Sequence, residues 1–355
     1  MVAKGSCNES HANPRVGVIA DSSLQRHIVG KALHSFGYDV VTTYVPERLD
    51  HAALMDASID VWLVDLEDED RWQDLITDLL ELADAPILFG DGKAPHATSP
   101  GYFRWERRIY AKIKDLVGQP VLAREQLKDD ALTLGAQPTA RIPLPAEFSH
   151  HKDRAGGTPA EYVWVLGASL GGPAAVKEFL DALPQGLPLA FLLAQHIDIG
   201  FQKVLMQVLG RHNAFRFVAP EESMRLYQGD IAILPVDQVA YIDSFARTHL
   251  RGDAWDGPWS PSIDQVMNLT ADALGEHTGV ILFSGMGNDG SIAGQRLKKL
   301  GIPIWAQSSE TCASASMPDS ARMSGCVSFS GSPRELALQL TQFARAYLHA
   351  PESMR

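Results

Sequence analysis

Three residues in this chain are of types that together could run nucleophilic acyl transfer, and each stands just beyond an apolar run. Ser169 lies in Gly167-Ala168-Ser169-Leu170-Gly171-Gly172, which follows the run 162–167 and leads into Pro173. Gly167, Ser169 and Gly171 fit the G-x-S-x-G elbow, in which a tight strand-to-helix turn pushes a nucleophile out of the backbone while glycines leave room for substrate. The helix start behind it offers unpaired N–H groups to a developing oxyanion. The same glycine-rich turn could cradle a phosphate, so the motif alone leaves both chemistries open.

His196 follows the run 189–194 through Gln195, and Asp289 sits in Gly285-Met286-Gly287-Asn288-Asp289-Gly290 after the run 280–284. Alone, such a histidine reads as a packing residue and such an aspartate as a helix cap. Their coincidence points further. A serine nucleophile needs a base, and the base needs an acid to fix its tautomer and stabilise the imidazolium, so a serine, a histidine and an aspartate at three strand ends complete a hydrolase mechanism. The chain order Ser, His, Asp is not the Ser, acid, His order of the α/β-hydrolases. Competing residues carry less: His212 and His277 read as capping or surface histidines, Asp198 is too close to His196 in sequence to face it, and Asp264 reads as the cap of its own helix.

These residues need a sheet to hold them. Residues 162–167, 189–194, 231–234, 280–284 and 303–306 are near-continuous apolar runs, alternating with helical patterns at 173–183, 202–211, 263–275 and 292–300. Strands apolar on both faces belong to a doubly wound, mostly parallel sheet, where ligands gather at the C-terminal strand edge. A Trp-rich interval over 242–259 reads as a hairpin. The first part of the chain alternates in the same way on a smaller scale, with strands at 16–20, 39–43, 61–65 and 86–89 and helices at 24–36, to about 57, 72–82 and 106–117. Between them, proline and glycine accumulate, which breaks regular structure. The expected division is an α/β domain over residues 14–118, a linker over 119–160 with a short helix near 123–134, and a catalytic α/β domain over 161–349.

Composition bounds the partners. The 355 residues carry a formal charge of −12, which argues against nucleic-acid binding through clustered Lys and Arg. Cys7, Cys312 and Cys326 show no metal or disulfide spacing. No apolar run is long enough to span a membrane and the N-terminal residues lack a signal-peptide pattern, so no membrane insertion and a cytoplasmic location are expected.

With Gln195-His196 followed by Gly200-Phe201, then Pro261-Ser262-Ile263-Asp264, the Gly285 to Gly290 turn and Met317-Pro318, the elbow forms an ordered set. In this order the set resembles the chemotaxis protein-glutamate methylesterase family, the CheB type. The resemblance implies a nucleophile at Ser169, a general base at His196, an orienting acid at Asp289, and oxyanion contacts at the backbone of Met286 and Leu170. It further implies hydrolysis of glutamate methyl esters on methylated chemoreceptor-like proteins, glutamine deamidation at the same sites in some members, and no metal or organic cofactor. Two positions depart from the family pattern: Leu170 replaces a small hydroxyl residue and Ser260 an arginine.

The first domain resembles a flavodoxin-like phosphoacceptor receiver, with Asp21 after the first strand and Asp65 at the phosphoacceptor position ending the third; a histidine kinase would then be a partner. Ala20 stands where receivers carry a second acid, Gly90-Asp91 where they carry Ser or Thr, and a fifth strand with its lysine is not visible. Paired carboxylates holding Mg²⁺ make such an aspartate reactive, so these departures point toward a degenerate receiver. Two other functional classes are a nucleotide-binding α/β protein using 167–172 as a phosphate loop, which lacks the G-x-G-x-x-G and Walker spacings, and a non-catalytic signalling scaffold.

Overall fold

The computed structural model describes residues 13–49, 51–56, 58–90, 92–96, 99, 101–118, 120, 140–148, 157–160, 162–197, 199, 202–211 and 215–349. The chain divides into two compact units, Met1–Glu125 and Gln126–Arg355.

The first unit is a four-stranded parallel sheet in the order β2-β1-β3-β4, from β1 (Arg15–Ala20), β2 (Asp39–Tyr44), β3 (Val61–Asp65) and β4 (Ile87–Phe89). This is the flavodoxin-like order. Among the described residues no fifth strand follows; the chain passes from β4 to the helix Tyr102–Val117, which buries Phe103, Trp105, Ile109 and Ile113. The helical stretch expected to end near residue 57 is two short turns, Pro46–Arg48 and His51–Leu54, because Pro46 can only begin a helix.

The second unit is built on seven parallel strands in the order β14-β13-β12-β5-β6-β9-β7. The central ones are β12 (Thr278–Leu282), β5 (Tyr162–Ala168) and β6 (Leu189–Gln195), all fully buried. They are flanked by β13 (Ile304–Gln307) and β14 (Phe329–Gly331) on one side, and by β9 (Asp230–Ile233) and β7 (Arg216–Val218) on the other. Alternate residues of β5 enter opposite cores. Tyr162, Trp164, Leu166 and Ala168 pack with Phe179 and Leu180 of the helix Gly172–Ala182 and with Leu336 and Leu340 of Pro333–His349. Val163 and Val165 pack with Val266 and Met267 of the helix Ile263–Leu274 and with Leu297 of Ser291–Lys299. Both faces are therefore covered, which is why these strands read as continuous apolar runs.

The expected hairpin lies a little earlier than its Trp-rich interval. β10 (Val239–Ile242) pairs antiparallel with β11 (Arg247–Arg251), which also pairs with β8 (Met224–Arg225) in a separate small sheet. Part of the stretch read as linker is structural. Ile142 and Phe148 are buried in the second unit's core, and the Ile142 amide donates to Ala182 O at 2.8 Å. The helix expected near 123–134 lies outside the described residues.

Candidate active site

The chain enters the large sheet at β5, adds β6 on one side and later β12 on the other, so the strand order reverses around β5. Crevices at such a reversal are where open α/β sheets bind ligands. Ser169 follows β5, His196 follows β6, and Asp289 follows β12, which places all three sequence-predicted residues on the C-terminal edge of three adjacent strands.

Register brings the first two together. Ala168 pairs with Gln195, so Ser169 and His196 are the next residues beyond a matched pair, and the His196 amide donates to Ala168 O at 2.9 Å. The Gln195 side chain ties the two turns, donating from Nε2 to Ser169 O at 2.8 Å and to His196 O at 3.1 Å. Gly171, at φ +72°, makes the left-handed step into the helix that L-residues with a Cβ rarely adopt, and a Cβ there would stand 2.5 Å from that of Ala313.

The third turn comes against the serine. A Cβ on Gly285 would lie 2.9 Å from Ser169 Cβ, so only glycine permits this approach. The Gly285 and Gly287 amides are engaged, donating to Ser314 O at 2.9 Å and Ser316 Oγ at 3.0 Å. The amide of Met286, between them, donates to no described residue, nor does that of Leu170, whose carbonyl accepts from Ser284 Oγ at 2.7 Å.

His196 Nε2 and Asp289 Oδ2 are 3.0 Å apart. A carboxylate can only accept, so the proton of this bond belongs to Nε2 and the lone pair of the neutral ring to Nδ1. That Nδ1 is buried and without a hydrogen-bond partner among the described residues. Asp289 is fully buried and accepts three amides: Ile263 N–H to Oδ2 at 2.7 Å, Asp264 N–H to Oδ1 at 3.0 Å and Gly290 N–H to Oδ1 at 3.1 Å. The first two begin the helix Ile263–Leu274, capped by Ser262 Oγ on the Gln265 amide, so the positive helix end faces the acid. Ser169 Oγ makes no hydrogen bond to a described residue. Nucleophile–base contacts are often loose before substrate binds.

Sequence reasoning missed how much the 259–264 segment contributes. Trp259 stacks face to face on the His196 ring. Asp264, expected to cap its own helix, instead accepts the Ala293 amide at 2.7 Å and so caps the neighbouring helix Ser291–Lys299. The Pro-Ser-Ile-Asp spacing signalled a helix start but not which groups its amides would face. Of the weaker candidates, His277 bonds Tyr347 through Nδ1 at 2.5 Å, remote from the serine, while Asp198 and His212 lie outside the described residues.

The two described cysteines are not poised as nucleophiles. Burial pushes the Cys312 thiol up to about 11 and also raises that of Cys326, which keeps both protonated at neutral pH. Among the described residues no group of three or more His, Cys, Asp or Glu is placed to hold a metal ion, and no helix is long and apolar enough to cross a membrane. In the first unit Asp65 is fully buried, its Oδ1 accepting the Gly92 amide at 2.9 Å, while Asp21 accepts that of Glu67 at 3.1 Å.

Residues 164–340 match the family model for CheB methylesterase. A protein-glutamate methylesterase/protein-glutamine glutaminase of Saccharophagus degradans is 32% identical over 162 residues, covering 45% of this chain and 44% of that protein. One from Cupriavidus pinatubonensis is 27% identical over 333 residues, covering 89% of this chain and 92% of that protein. The chain spans about half the length of the relatives that it matches at 32% identity. The Thermotoga maritima CheB methylesterase catalytic domain, a solved structure, is 23% identical with a TM-score of 0.49, covering 51% of this chain and 98% of that one. Residues 164–340, which carry Ser169, His196 and Asp289 along one sheet edge, form a CheB methylesterase domain.

Proposed function

We propose that this chain is a protein-glutamate methylesterase that acts on methylated chemoreceptor-like proteins in a chemotaxis-type pathway. The observation that carries the reading is the 3.0 Å bond from His196 Nε2 to Asp289, which leaves Nδ1 as the basic nitrogen of a ring that follows β6 as Ser169 follows its paired strand β5. Ser169 Oγ attacks the ester carbonyl as His196 Nδ1 takes its proton. The Met286 and Leu170 amides donate to the oxyanion. His196 then protonates the departing methoxide, which leaves as methanol. Water, activated by the same nitrogen, hydrolyses the glutamyl-serine ester and restores the enzyme. Asp289 holds the ring and stabilises the imidazolium throughout.

Ammonia replaces methanol when the substrate is a glutamine side chain, the second activity in the relatives' names. A cytoplasmic location is part of this reading, because methylated side chains of such receptors lie on their cytoplasmic helices. Membranes carrying methylated receptors test the reading: the intact chain releases methanol, and Ser169→Ala lowers the rate by at least about 10³-fold at unchanged melting temperature. A Ser169→Ala protein that kept its activity would refute it, and a chain whose cellular phenotype ignores the substitution would be a scaffold.

A further inference from the structure

Trp259 lies against the imidazole that the proposed reaction uses as its base. The two rings have centroids 5.1 Å apart and planes only 4° from parallel, an offset stack of the kind aromatic pairs favour. The indole is 7% exposed, so the contact belongs to the packed interior and not to a loose surface flap.

The stack and the acid constrain the ring in different directions. The hydrogen bond to Asp289 fixes which edge of the imidazole faces the carboxylate but leaves rotation about the line of that bond. Any such rotation tilts the imidazole away from the indole plane, so the stack removes it. Both constraints originate in one short segment. Four and five residues after Trp259, the Ile263 and Asp264 amides grip the Asp289 carboxylate at 2.7 and 3.0 Å. A single stretch of chain therefore sets the acid's position and the base's plane together.

The chemistry of the pair goes beyond placement. An aromatic face is electron-rich, so it attracts a cation more than a neutral ring. During turnover the His196 ring gains a positive charge as it takes the nucleophile's proton, so contact with the indole strengthens at that step.

We propose that Trp259 is a positioning residue whose indole face holds the plane of the His196 imidazole and favours its cationic form during turnover. This rests on the esterase reading above. An interaction that strengthens in the transition state appears in kcat and not in KM.

The test uses the full chain with two substitutions. Trp259→Leu keeps an apolar cover, so water does not replace the indole, but removes the aromatic face; Trp259→Phe restores a face. The His196 C2–H resonance, identified by its loss in His196→Gln, is titrated by NMR, and methanol release is measured across pH. In Trp259→Leu the His196 midpoint falls by about 0.5–1 pH unit, the acid limb of the kcat profile moves down with it, and kcat drops roughly three- to tenfold with KM within about twofold. Trp259→Phe returns each value to within about twofold of the parent.

An unmoved His196 midpoint in Trp259→Leu overturns the proposal. So does a Trp259→Phe protein as impaired as Trp259→Leu, the pattern of a space-filling residue. Trp259→Met replaces the leucine variant if that one folds poorly. A parent chain that releases no methanol refutes the esterase reading instead, and the NMR midpoint still decides whether the stack favours the cation.

Discussion

Asp65 and Asp289 are two carboxylates at similar depth in two parallel sheets, each fully buried near the C-terminal edge of a strand, yet their surroundings differ. Asp289 accepts three backbone amides and also reaches His196, whose far nitrogen has no partner among the described residues. Asp65 accepts the Gly92 amide, and Gly90 lies so close that a Cβ there would stand 2.2 Å from Asp65 Oδ1. A buried carboxylate enters chemistry through a titratable group that carries its influence outward. Asp289 has one in His196, while the hydrogen bond described for Asp65 comes from the backbone amide of Gly92.

Attack on a phosphoryl donor needs an accessible oxygen and a second acid to help hold Mg²⁺. Ala20 stands where that acid is expected, and the Asp21 carboxylate is turned to the Glu67 amide.

The sharpest way to break this contrast is to neutralise both acids in turn. Asp289→Asn keeps the shape but disturbs the tautomer of His196, and methanol release should fall by about 10³–10⁴-fold. Asp65→Asn should leave it within about twofold. Comparable losses in steady-state assays of the two variants would show that the acids are not functionally distinct.

A smaller effect concerns stability. Gly90→Ala forces a methyl group against Asp65 Oδ1, so the first unit should lose about 1–3 kcal/mol, seen in calorimetry as an earlier first transition with esterase activity retained. Loss of activity in step with that transition would tie the units more closely than this contrast allows.

The smallest effect is at His249 of the antiparallel sheet. Glu222 accepts from its Nδ1 at 2.7 Å and Asp243 lies 3.3 Å from its Nε2, and these hydrogen bonds raise the imidazole's affinity for a proton. Its folded pKa therefore lies above the unfolded one, so its stabilising contribution is fully present below the unfolded value of about 6.5 and fades as pH rises through the folded value. Glu222→Gln should lower the NMR midpoint of His249 and narrow the gap in melting temperature from the parent as pH rises. Solvent screening keeps this effect small.

Much of the large sheet was legible because its central strands are buried on both sides. The runs at 162–167, 189–194 and 280–284 are unbroken apolar sequence, and the three chemical residues stand immediately beyond them. β7 and β8 were not legible, since three and two residues carry no period of their own. Ile142 and Phe148 looked like linker because their proline-rich surroundings say nothing about what packs over them.

Sequence by itself determined the chemical types, their order and their places at strand ends, since these follow from local apolar runs and turn residues. Only the tertiary structure decided which nitrogen of His196 faces Asp289, which helix Asp264 caps, and that Trp259 covers the imidazole. Those contacts join residues separated by 93, 29 and 63 positions, and no local period encodes the loop closures that bring them together.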